Sequence, residues 1–78
     1  MQENRNMRDM IEVLSIAIVR EQTEEDFFRR SAKASTSKVA ADLYLEIAEE
    51  LAEHRRNLET RKQKLEGALK DLLKAKER

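Results

Sequence analysis

Three ionisable side chains stand where the apolar pattern of this sequence requires hydrocarbon: Glu21, Glu25 and His54. Taking a charge out of water is costly unless it is paired, hydrogen-bonded or bound to a metal. Carboxylate and imidazole together form a ligand set for divalent iron, manganese or zinc. Glu21 hydrogen-bonded to His54, with no metal, meets the same requirement. Either arrangement needs the two residues on facing elements at one level.

Those elements are helices. The chain has 78 residues, 41% of them charged, with 16 basic and 16 acidic side chains, one glycine (Gly67) and no proline. Richness in Ala, Glu, Lys, Leu and Arg with almost no breakers is a long-helix composition. The expectation is an all-α chain, a single helical hairpin over 1–78. Helix A should run from about 3 to 33, with a stripe of Met7, Met10, Leu14, Ile18, Glu21, Glu25, Phe28 and Ala32 at spacings of three and four. Ala34-Ser35-Thr36-Ser37 breaks the pattern and offers three hydroxyl caps, the choice among them left open. Helix B should run from about 37 to 77, with a stripe of Ala40, Leu43, Ile47, Leu51, His54, Leu58, Leu65, Leu69 and Leu72. Arg61 and Lys62 interrupt this stripe, and Gly67 weakens the helix by ~1 kcal/mol relative to Ala. So short a connection makes the helices antiparallel neighbours.

Position along the hairpin follows from the turn. Glu21 should lie roughly 18 Å up helix A and His54 roughly 25 Å up helix B. Side chains lean toward their own helix N-terminus, so these two tips converge. Helix B is the longer, and its last turns should overhang. Val13, Leu14, Ile16, Ala17, Ile18 and Val19 make helix A apolar nearly all round, and Phe27 lies off the main stripe. One hairpin cannot cover that surface. A homo-oligomer, most simply a two-fold dimer forming a four-helix bundle, is expected, with two Glu21 and two His54 near its axis.

Other classes are disfavoured. Balanced charge argues against a nucleic-acid partner. No run approaches a membrane span. Ile11–Val19 is short and interrupted by Glu12, so it reads as a mature helix and not a signal peptide, with a cytoplasmic location as the default. Cys is absent, which removes disulfides and thiolate metal sites. The basic stretch Arg55-Arg56 to Lys64 is interleaved with glutamates at helical spacings and reads as a mixed solvated face. Tyr44 reads as packing at an interface, and Met7 and Met10 as core fillers.

Two segments carry a family resemblance. Ala17–Phe28, AIVREQTEEDFF, resembles the first helix of rubrerythrin-like members of the ferritin-like superfamily, with Glu21 at the metal carboxylate and Phe27-Phe28 at the aromatic pair six residues on. Lys38–Leu58, KVAADLYLEIAEELAEHRRNL, resembles their second helix, with His54 at the ligand histidine and Leu58 at the following leucine. The similarity covers about residues 14 to 60. It implies half of a ferritin-like four-helix bundle, completed by dimerisation, with iron as metal and iron oxidation, storage or peroxide reduction as chemistry. No redox partner or substrate is specified.

The departures are specific. The Glu of the family's Glu-x-x-His is replaced by Leu51, which removes the carboxylate that usually bridges two irons, and Phe28 lacks the usual Tyr hydroxyl. A relocated site would draw on Glu21, Glu25, Glu50 and His54, while Glu50 as a surface carboxylate and Glu25 paired with a basic residue are the alternatives. The expectation is therefore a metal-binding bundle using iron or another divalent ion. The alternative is a metal-free relative acting as an oligomeric protein-interaction module, with Leu65–Leu73 as docking surface.

Overall fold

The computed structural model describes residues 2–76. It is two antiparallel helices, α1 (Gln2–Ala34) and α2 (Lys38–Lys76), and no strand occurs among the described residues. The hairpin measures 62 × 14 × 12 Å. Both helices match the expected spans to within a residue or two; the expected last residue of helix B lies outside the described residues. No described helix is long and apolar enough to cross a membrane.

The turn resolves which hydroxyl caps α2. The Ala40 N–H donates to Ser37 Oγ (3.2 Å), and the Ala41 N–H donates to the Ser37 carbonyl (2.9 Å), so Ser37 is the N-cap. Such a cap is worth about 1 kcal/mol. Ser35 ties the connection together: its N–H donates to the Ala32 carbonyl, and its Oγ exchanges hydrogen bonds with the backbone of Ser37. No described residue has positive φ, so this turn needs no glycine. Gly67 instead sits within the unbroken α2, where an added Cβ would meet nothing within 4 Å.

The packing between the helices is thin. Ala32, Ala48, Ala52 and Leu58 are its buried apolar side chains, and Glu25 is buried among them. Near the turn the contact is built from small residues, and Ala48 is completely covered. Phe28 rests on Tyr44 with ring centroids 6.2 Å apart, and Phe27 meets Phe28 edge-on at 5.3 Å. Toward the open end Leu69 and Leu73 line a shallow groove with Arg8 and Ile11, so α1 reaches much of the segment expected to overhang.

This packing corrects the sequence-based stripes. On α2 the face turned to α1 is Tyr44, Ala48, Ala52, Arg55 and Leu58, whereas Leu43 and Ile47 are exposed. Met10 on α1 is also more than half exposed and is not a core filler within the hairpin. The physical reason is size. Alanines let the two backbones approach, and the larger apolar side chains are displaced to the flank.

Candidate functional site

Glu21 and His54 meet across the hairpin, as their opposite leans require. The His54 Nδ1–H donates to Glu21 Oε1. The two side chains differ in exposure: Glu21 keeps 18% and His54 60%. Glu21 Oε2 is buried and accepts no hydrogen bond among the described residues. One oxygen of this carboxylate is thus satisfied and the other is not, and the imidazole is left open to water.

One helical turn toward the interhelix turn, Glu25 has the opposite situation. Its side chain is 8% exposed, and two guanidinium groups hold it. Arg29 Nε donates to Oε2 at 2.9 Å, and Arg55 Nη2 donates to Oε1 at 3.0 Å. Arg29 continues to Glu49 (3.0 Å) and Arg55 to Glu59 (2.8 Å), making one charged network across the helices. The hydrogen bond from Arg29 holds the Glu25 carboxyl below the usual carboxylate range; desolvation opposes this, and Arg55 reinforces it. Glu25 is therefore a structural anion already provided with cations. A metal would have to displace two arginines to use it.

The remaining expected ligand, Glu50, is exposed on α2. Leu51, three residues before His54, is half-buried. Among the described residues no group of three or more His, Asp or Glu side chains converges as a metal site within one chain. Of the four residues proposed from sequence, the hairpin brings Glu21 and His54 together, assigns Glu25 to arginines and leaves Glu50 at the surface. The residue that sequence reasoning missed is Arg55. The available signal was its register, three residues before Leu58 and seven after Ala48, which places it on the packed face of α2.

The two flanks of the hairpin differ. One is marked by the Glu21–His54 contact. Met10, Ala17 and Phe28 share the Glu21 side of α1, and Leu43 and Ile47 share the His54 side of α2, at spacings of four, seven or eleven residues. Met10, Leu43 and Ile47 are exposed there. The other flank is crossed by the Arg29–Glu49 pair, with Arg56 Nη2 4.0 Å from Glu49. No protein-family model, curated protein or solved structure matches the chain.

Proposed function

We propose that this chain is a self-associating helical module, in which two hairpins join through the flank carrying Met10, Leu43, Ile47 and the Glu21–His54 contact to form a four-helix bundle. The observation that carries this reading is the joint exposure of Met10, Leu43 and Ile47 beside the Glu21–His54 contact, while the core inside the hairpin consists mainly of alanine. A hairpin this thin buries little apolar surface by itself, and a second copy supplies the missing layer. Covering the flank would also remove His54 from water beside a carboxylate that already accepts a hydrogen bond from its Nδ1–H.

Sedimentation velocity tests the proposal. The wild type is expected to be a dimer or a multiple of one, with an unfolding midpoint that rises with concentration. Ile47→Glu, which puts a charge into the seam, should shift the distribution toward monomer. A wild type that stays monomeric with a concentration-independent midpoint rejects the seam.

A second reading is favoured by the buried, unpartnered Glu21 Oε2. Across a two-fold seam, two Glu21 and two His54 side chains make four donors of the type that holds one divalent ion, and iron there would supply oxidation or peroxide chemistry. Without the Glu-x-x-His carboxylate, such a site lacks the usual bridge between two metals. Loading with Fe(II), Mn(II) or Zn(II) should then leave one metal per two chains, and His54→Gln should abolish it. Absence of retained metal, with melting unchanged on metal addition, eliminates this reading and leaves the bundle.

A further inference from the structure

α1 carries another uncovered apolar patch, on the side turned away from α2. Ile16 lies two positions from both Leu14 and Ile18, which are half-buried toward α2, and two positions are about 200° of helix. Val13, Ile16 and Val19 are each more than half exposed. Glu12, Ser15, Ile16, Val19 and Arg20 line a shallow depression. Its polar neighbours are already satisfied by their own helix: Ser15 Oγ donates to the Ile11 carbonyl at 2.8 Å and Thr23 Oγ1 to the Val19 carbonyl at 3.0 Å. What remains for a partner is hydrocarbon bordered by charge.

The charges are arranged with opposite signs about Ile16. Three residues to either side stand Val13 and Val19; four residues out, Glu12 and Arg20; eight residues out, Arg8 and Glu24. None of the ion pairs among the described residues uses Glu12 or Arg20. We propose that α1 of a second copy docks here antiparallel, across a two-fold axis at Ile16. In that register each residue faces the one equally far on the other side of Ile16. Glu12 then faces the partner's Arg20, and that contact occurs twice around a centre of Ile16 and valine. Moving the axis midway between Ile16 and Val19 would instead oppose Arg5 to Arg30 and Asp9 to Asp26, both like-charged. Charge pattern and apolar exposure therefore select the same centre. This surface is separate from the Glu21–His54 seam, because Glu21 lies five positions from Ile16, about 140° around the helix. A chain using both surfaces assembles beyond the dimer.

Charge reversal and sedimentation velocity test it, with circular dichroism confirming that each variant is helical. The wild type should form a tetramer. Glu12→Arg and Arg20→Glu should each weaken the step from dimer to tetramer by at least about tenfold, since each sets like charges together twice. The double variant Glu12→Arg/Arg20→Glu should restore it, and rescue is an outcome that simple loss of folding does not give. Single reversals that leave the assembly unchanged overturn the proposal. A dimer broken by Ile47→Glu and indifferent to Glu12→Arg overturns this surface and leaves the seam. A dimer broken by Glu12→Arg, rescued by the double variant and indifferent to Ile47→Glu supports this surface and overturns the seam. A monomeric wild type overturns both.

Discussion

Glu21 and Glu25 are the same residue type, one turn apart on one helix, both directed toward α2, yet they are in opposite circumstances. Glu25 receives two guanidinium groups and lies almost wholly out of water. Glu21 receives one imidazole that is itself largely exposed, and its second oxygen is buried without a partner among the described residues. The difference arises on the opposing helix. Arg55 stands on the packed face of α2 and reaches Glu25 beneath the surface, whereas His54, one residue earlier, is rotated about 100° toward the open flank. A buried charge that is fully paired locks a local geometry; one that is half paired marks a place where the structure accepts something more.

Removing one side of the paired site should have the largest effect. Arg55→Met leaves Glu25 buried with Arg29 alone and should lower unfolding free energy by about 2–3 kcal/mol in urea titrations at neutral pH. A loss no greater than that of an exposed substitution would mean that the Glu25 network is held by solvent after all, and the contrast would fail.

Acid should act on Glu25 next. Its folded-state carboxyl titrates below the ordinary range, chiefly through the Arg29 hydrogen bond. Its stabilising contribution is therefore full above the unfolded-state value, about 4.3, and is lost as pH falls through the lower folded value. Wild-type urea midpoints should drop in that window, and the gap between wild type and Glu25→Gln should close there. A gap that stays constant into strong acid contradicts the assignment.

The smallest change is expected at the half-paired site. Glu21→Leu removes the orphaned oxygen and fills the stripe with hydrocarbon, so stability should stay within about 1 kcal/mol of wild type or rise. Glu25→Leu, which removes the carboxylate joining Arg29 to Arg55 and leaves each arginine with one glutamate, should be clearly destabilising in the same assay. Equal losses at the two positions would erase the distinction drawn between them.

Much of this was legible in the residues. The lack of breakers and the Ser35–Ser37 cluster place the helices and their turn, and height above the turn together with side-chain lean brings Glu21 to His54. What escaped was the choice of face on α2. That helix carries two apolar stripes, one of small residues through Ala48 and Ala52 and one of larger residues through Leu43 and Ile47. Periodicity weighs hydrophobicity, so it favours the larger stripe, yet the chain packs against itself through the smaller one. A single sequence cannot tell an apolar face kept for its own chain from one left for a neighbour. Arg55 was hidden by the same ambiguity, because its charge made it look like part of the solvated surface.

The Ser37-capped connection also bears on how the chain reaches this form. Its ends are already close, so the first tertiary contacts, around Ala32, Tyr44 and Ala48, close only a short loop and cost little configurational entropy. Each later pair is brought near by those already made, from the alanine-lined end toward Met7 and Leu72. Such zipping is fast and needs no distant encounter. Amide hydrogens should therefore exchange most slowly beside the turn and progressively faster toward the free ends, unless a neighbouring copy is gripping those ends.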